Sequence, residues 1–321
     1  MSIINVNELK KTYKTFKKEK GISASIKSLF SRKYEYVNAV NNINFSINKG
    51  EFVGFIGPNG AGKTTTIKML SGILHPTDGN LNVLNYNPFD KKRDFLKQIA
   101  LVSAQKTQLW WDIPAQDSFS LLQTIYDVDK KTAYEQINYL SSFLKVKELL
   151  EIPIRNLSLG ERMKMELIGS LLHKPKILFL DEPSIGLDFI SRQDIRNFLS
   201  KYNRESGATI ILTSHYLEDI KELCKRIIII NNGVIIYDGK VDDIYNNYKD
   251  KVIFRLITQN IEKYKKLCKD KIIGEADSYI DILIEKDIES IFLSEINKNN
   301  DAKLEFREFD LEYVVRDYYG Y

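Results

Sequence analysis

Four short stretches in fixed order carry the side chains able to do chemistry: GPNGAGKT at 57–64, LSLGE at 157–161, ILFLDEP at 177–183, and ATIILTSH, which ends at His215. Gly57, Pro58, Asn59, Gly60, Ala61, Gly62, Lys63 and Thr64, followed by Thr65, meet the G-x-x-x-x-G-K-[ST] spacing of a phosphate-binding loop. The apolar run EFVGFIG leads into it and TTIKMLSGIL leads out, so a strand should feed the loop and a helix should leave it. In that setting backbone N–H groups converge on nucleotide phosphates at a helix N-terminus. The Lys63 ammonium then reaches the β- and γ-phosphates, and the Thr64 hydroxyl serves Mg²⁺. The expected ligands are ATP and Mg²⁺. Residues 177–180 read as a buried strand delivering Asp181 and Glu182 at its carboxyl end, where open α/β sheets bind ligands. Asp181 would hold the water shell of Mg²⁺, and Glu182 would act as general base on the attacking water. A pair of surface acids before a proline would need no such apolar lead-in. His215, behind the next apolar run, is expected beside the γ-phosphate as a hydrogen-bonding sensor.

The elements that must position these groups follow from pattern. Residues 4–13 and 39–56 alternate as strands do. Between them, 14–37 is a basic insert carrying Ile22, Ile26, Leu29 and Phe30 at near-helical spacing. It reads either as a helix packed on its own domain or as one lying on a membrane surface. From about 107 to 173 the pattern turns helical, with Ile137, Leu140, Phe143 and Leu144 recurring at three- and four-residue intervals. Strands then resume, and Asn232-Gly233 between two apolar runs signals a hairpin. One domain is expected over 1–245. The pattern restarts as strand, helix, strand, helix and strand over 246–321, a small C-terminal α/β unit.

Composition sets limits. With 321 residues, 43% hydrophobic and 28% charged, the chain can bury a substantial core. A formal net charge of only +4 does not suit a nucleic-acid-coating protein, and no nucleic acid is expected. No apolar run approaches the roughly 20 residues needed to span a bilayer. Cys224 and Cys268 lie far apart and outside metal-ligand spacing, which favours two reduced thiols in a reducing compartment.

The LSLGE stretch, opening a helix shortly before the DE strand, narrows the field of P-loop proteins. With it the chain resembles the ATP-binding cassette (ABC) ATPases over roughly residues 4–240. The resemblance implies a P-loop NTPase core with RecA-like and helical subdomains. It also implies a dimer with two shared ATP sites, in which Ser158 and Gly160 act in trans on the γ-phosphate held by the partner's P-loop. The commonest form of that motif has Gly and Gln where this chain has Leu159 and Glu161. The added bulk and charge would weaken or slow closure of the nucleotide sandwich. Gln105 falls where the family's Q-loop glutamine touches Mg²⁺ and water while linking to the membrane subunit, with Gln108 as the competing assignment. Gly186-Leu187-Asp188 matches the D-loop, whose Asp188 would relay between the two sites. Tyr13 falls where the family stacks an aromatic on adenine, and Tyr34 and Tyr36 are the alternatives. Trp110-Trp111-Asp112 lies where the family receives a permease helix, so the tryptophans either anchor that contact or are buried against the helical subdomain.

The LHPTDG, SIGLD and AQKTQLWWD stretches and the C-terminal extension look most like the ATPases of ABC-2 type exporters, in the branch similar to drug and viologen exporters. The resemblance thus implies an ATPase subunit at the cytoplasmic face of the membrane, peripheral to it and driving a separate integral-membrane permease. Two rival readings remain. Leu159 and Glu161 could mark a hydrolysis-weak regulator, or the chain could be a non-transport ABC ATPase acting on ribosomes or DNA.

Overall fold

Two sheets of opposite character share one apolar core in the first of two units into which the chain divides, Met1–Gly239 and Lys240–Tyr321. The computed structural model describes residues 1–16, 34–104, 106–297, 301–307 and 309–319. β1 (Ser2–Phe16) and β2 (Tyr34–Asn48) pair antiparallel along their lengths. After β3 (Phe52–Ile56), β4 (Asp78–Val83) adds to the other side of β1, giving the order β2-β1-β4. One face is apolar: Ile4, Val6, Val40, Ile43, Phe45 and Ile47 are buried, while polar residues alternate with them.

The second sheet joins β3 to β5 (Ile99–Ser103), β6 (Ile177–Asp181), β7 (Thr209–Thr213), β8 (Arg226–Asn231) and β9 (Val234–Lys240) in the order β5-β6-β7-β3-β8-β9. The pairs β5/β6, β6/β7, β7/β3 and β3/β8 are all parallel. Their strands read as unbroken apolar runs because both faces are covered, and every residue of β3, β6 and β7 is buried. The two sheets meet through Phe45 and Phe55, whose rings lie 5.9 Å apart. The β8–β9 turn has positive φ at both Asn232 and Gly233, as a two-residue hairpin of that sequence requires.

Among the described residues, six helices longer than the single turn at Arg93–Leu96 complete the unit: α1 (Lys63–Leu70), α2 (Ala115–Tyr126), α3 (Lys130–Phe143), α4 (Leu159–Leu171), α5 (Phe189–Ser206) and α6 (Leu217–Leu223). The helical stretch expected from 107 begins only at Ala115, because residues 107–114 form a loop held by other means. The basic insert also differs from expectation. Its ends are strand, with Lys14 opposite Tyr36, Thr15 opposite Glu35 and Phe16 opposite Tyr34. Backbone pairing there outweighs the run of charge, since lysine side chains can project to solvent from either face. The amphipathic helix expected around Ile22, Ile26, Leu29 and Phe30 lies outside the described residues.

The second unit begins at Lys240, slightly ahead of the expected boundary, and Val241, Ile244 and Tyr248 are buried. Tyr248 packs against Phe309 and Tyr313 and donates to Asp317. Its strands are β10 (Lys251–Thr258), β11 (Ile272–Ala276), β12 (Tyr279–Glu285) and β13 (Ala302–Arg307), antiparallel in the order β11-β12-β10-β13. With α7 (Ile261–Leu267) and α8 (Glu289–Asn297) they follow a β-α-β-β-α-β order, and α9 (Leu311–Tyr319) ends the description. Its core gathers Leu256, Tyr264, Ile280 and Ile282. Cys224 and Cys268 fall in separate units, each buried. No helix among the described residues is long and apolar enough to cross a membrane.

Phe179 is fully buried at the middle of β6, between β5 and β7 in the parallel sheet. Phe179→Ala should lower unfolding free energy by about 3–5 kcal/mol in denaturant titration, through lost transfer energy and the cavity left behind.

Candidate active site

Because β6, β7 and β3 are neighbours running the same way, the residues leaving their carboxyl ends converge on one edge. The phosphate-binding loop leaves β3. Gly62, at the N-cap of α1, has φ 110°, and a Cβ there would run into the carbonyl of Ala39 on β2. Only glycine satisfies both the conformation and that close approach. Around Gly60 the space is open, so the loop leaves room for a ligand on that side. Lys63 is buried and folds back over the loop, its Nζ donating to the Gly57 carbonyl at 2.6 Å and to Pro58 at 3.2 Å. Burial pushes its ammonium below the usual lysine range, while the Glu182 and Asp181 carboxylates pull it back up.

Asp181 ends β6 opposite Thr213 in register. Its Oδ1 accepts from the Thr64 hydroxyl at 3.0 Å and from the Thr213 hydroxyl at 2.9 Å. A hydroxyl and a carboxylate meeting at the foot of the loop are hard oxygen donors of the kind Mg²⁺ takes. Glu182 follows with φ 60°, a left-handed conformation that costs a non-glycine residue about 1 kcal/mol. Its N–H offsets that cost by donating to both the carbonyl and the hydroxyl of Thr213, at 3.1 and 3.0 Å. The turn aims the carboxylate across the edge. Glu182 Oε1 stands 3.0 Å from His215 Nε2 and 3.9 Å from Lys63 Nζ. Desolvation raises its pKa above the usual glutamate value and nearby Asp181 adds to the rise, against the opposing pull of His215 and Lys63.

The LSLGE stretch forms the start of α4. Ser158 is its N-cap, accepting from Glu161 N at 3.3 Å, while Glu161 Oε2 accepts from Ser158 N at 2.9 Å and from Ser158 Oγ at 2.8 Å. This is a complete capping box, worth about 1 kcal/mol. Glutamate at that position therefore has a local structural use. Leu159 turns its side chain onto the Gly186 turn, where a Cβ would stand 3.1 Å from Leu159 Cδ2. Gly160 is buried against the start of α5, and a Cβ there would collide with the Ser191 hydroxyl. Asp188 caps that helix by accepting from Ser191 N at 2.9 Å; hydrogen bonding by the Ser191 hydroxyl first, and by that N–H second, holds its carboxyl below the usual aspartate range.

Gln105 lies outside the described residues. Its flanks are placed: Ser103 ends β5 opposite Asp181, so the chain leaves at the same edge. Gln108 is spoken for, since both its backbone and its side chain bond Glu166 of α4. Glu166 had no signal in the sequence. Its buried carboxylate accepts from the Thr107 hydroxyl and the N–H groups of Gln108 and Leu109, and burial raises its pKa despite them. Trp110 and Trp111 emerge from this loop 43% and 46% exposed, which excludes burial of both against the helices. Arg162 lies over the Trp111 ring at 5.2 Å. Tyr13 pairs with Val37, whereas Tyr36 and Tyr34 sit opposite Lys14 and Phe16. By strand alternation, Tyr13 faces the other side of that ladder from Tyr34 and Tyr36.

Residues 40–185 match the family described as ABC transporter. The linearmycin resistance ATP-binding protein LnrL of Bacillus subtilis (strain 168) is 33% identical over 243 residues, covering 74% of this chain and 75% of that protein. The bacitracin transport ATP-binding protein BcrA of Bacillus licheniformis is 29% identical over 230 residues, covering 72% of this chain and 74% of that protein. A solved dimeric ATP-binding cassette, in a post-hydrolysis state bound to ADP and Pi, superposes with a TM-score of 0.61 at 23% identity. The match covers 74% of this chain and 98% of that one, and the likeness is one of fold.

The tight approach at Gly160 is testable by paired substitution. Gly160→Ala should cost about 1–3 kcal/mol in thermal or denaturant unfolding, as overpacking does. Adding Ser191→Gly to that variant should restore part of the loss; no recovery would show that the crowding arises elsewhere.

Proposed function

This chain belongs to the ATP-binding, ATP-hydrolysing subunits of ABC transporters, and from that premise we propose that it drives export through a separate integral-membrane permease. Two copies, or one copy and a related subunit, would enclose two nucleotides between them at the cytoplasmic face of the membrane. The observation carrying the catalytic part is the Glu182 carboxylate at the sheet edge, set between His215 Nε2 and Lys63 Nζ.

In this reading the N–H groups of residues 59–64 and the Lys63 ammonium cradle the β- and γ-phosphates, and Thr65 lies with them at the start of α1. Thr64 and Asp181 would hold Mg²⁺, which supplies charge neutralisation of the phosphates when bound. Glu182 takes a proton from the attacking water as its oxygen bonds the γ-phosphorus, and the bond to the β-phosphate oxygen breaks to leave ADP and phosphate. A carboxylate whose pKa is raised by desolvation, against the pull of two nearby nitrogens, is a stronger base than an exposed glutamate. His215 orients Glu182 and senses the γ-phosphate. Gln105 is assigned the Q-loop role, reporting to the permease. Tyr13 is assigned to adenine.

From the partner, Ser158 and Gly160 would complete the site, with Leu159 and Glu161 flanking them and Asp188 relaying across the dimer. Dimerisation is supported by the dimeric cassette of the same fold. Export is supported by the relatives named for linearmycin resistance and bacitracin transport. A hydrolysis-weak regulator is the less favoured reading, because Glu182 lies within hydrogen-bond distance of His215 and ion-pair distance of Lys63.

Glu182→Gln should retain ATP binding and lose at least about 100-fold in kcat, the scale of a general base; turnover near the parent level would overturn the base assignment. Lys63→Ala should weaken ATP binding by about 10- to 100-fold in titration calorimetry, since a charge-assisted phosphate contact is lost. The acid limb of kcat against pH should lie above that of an ordinary glutamate. Because His215 lowers the Glu182 pKa, His215→Ala should move the limb to still higher pH in whatever activity survives.

A further inference from the structure

A buried carboxylate outside the assigned machinery ties its two halves together. Asp219, on α6, is 3% exposed and touches neither Glu182 nor His215 through any bond described above. Its Oδ2 accepts from the Ser184 hydroxyl at 2.6 Å and from the Ser214 hydroxyl at 3.1 Å. Ser184 stands in the turn just after Glu182, a turn closed by Ile185 N donating to the Glu182 carbonyl. Ser214 immediately precedes His215, and its Oγ also accepts from Tyr216 N at 2.9 Å. One carboxylate oxygen therefore fastens the segment that follows β6 to the segment that follows β7. Asp219 Oδ1 makes no hydrogen bond and is balanced by Arg196 of α5, whose Nη1 lies 3.6 Å away. That guanidinium is itself 7% exposed and shared with Glu218 and Glu222.

We propose that Asp219 is a positioning residue for hydrolysis, a strut that sets the spacing of Glu182 and His215 through the two serine hydroxyls. The inference rests on the reading of Glu182 as general base. Stability alone does not call for a charge here. α6 is anchored by Ile220, which is fully buried and packs closely on Gly54 of β3. Desolvating a carboxylate costs more than an apolar side chain of similar volume in the same place. What the charge does provide is a single acceptor reached from two strands. The β6–β7 ladder and Thr213 hold the near side of the left-handed turn at the Glu182 N–H, and the Ser184–Asp219 bond holds its far side, so both ends of the turn that aims the carboxylate at the imidazole are tied to β7. A displacement of about 1 Å there would cost on the order of 100-fold in rate.

The test uses the full chain and measures kcat, KM for ATP, ATP affinity and melting temperature in Asp219→Ala, Asp219→Asn and the double variant Ser184→Ala/Ser214→Ala. Asp219→Ala and the double serine variant should each lose about 10- to 100-fold in kcat, with KM and ATP affinity within about threefold of the parent, whereas Asp219→Asn, whose amide oxygen can still accept from both serines, should retain more of the rate than Asp219→Ala. Adding Asp219→Ala to the double serine variant should lower kcat no further, since all three act as one unit. A kcat within twofold of the parent in Asp219→Ala, or a loss confined to KM, overturns the strut. If Asp219 variants do not fold, the double serine variant decides alone by the same criteria. Glu182→Gln serves as control: if it is inactive while Asp219→Ala is fully active, the strut fails by itself, whereas activity surviving in Glu182→Gln removes the base assignment beneath it.

Discussion

The Thr213 hydroxyl is the point on which the sheet edge depends. It donates to Asp181 and accepts from the N–H of Glu182, so one oxygen fixes both the carboxylate at the foot of the phosphate-binding loop and the unusual backbone of the next residue. The parallel register that sets Asp181 opposite Thr213 brings these groups together, and it is in turn held by the buried apolar runs on either side. Slipping β7 by one residue would turn Thr213 to the opposite face and leave two adjacent carboxylates without their common donor. The apolar core and the polar edge are thus parts of one arrangement, in which packing sets register and register sets chemistry.

Much of this was legible in the sequence, for a physical reason. Strands buried on both faces read as continuous apolar runs, and the polar residues that end them stand out: Lys63 and Thr64 after one, Asp181 and Glu182 after another, His215 after a third. What escaped were polar residues whose partners lie far along the chain. Thr213, Ser184 and Asp219 look like ordinary strand, turn and helix residues until β6 and β7 lie side by side. Glu166 meets Gln108 across 58 positions, and nothing local to either announces it. At the insert the run of charge hid the pairing of its two ends, where β1 and β2 extend over 14–16 and 34–37. The strand β11 was overlooked because its sequence, IIGEA, is too short and too mixed to show a period.

The signature stretch shows how a departure from a common pattern can be locally conservative. Glutamine and glutamate can both close a capping box, and Glu161 does so here with both the N–H and the hydroxyl of Ser158. That engagement points the charge back into its own turn. Leu159 likewise lays its bulk on the Gly186 turn of the same chain. Ser158 and Gly160 keep the helix tip between these two flanking adjustments.

The clip formed by Glu166 has a mechanical reading. Ser158 caps the same helix that Glu166 sits on, about 12 Å further along at helical rise. The loop bearing Trp110 and Trp111 is bonded to Glu166, and Arg162, between the two, lies against Trp111. The loop that carries the exposed indoles is therefore fastened to the same rod whose first turn carries the serine, and a surface patch and a helix tip are two ends of one rigid member.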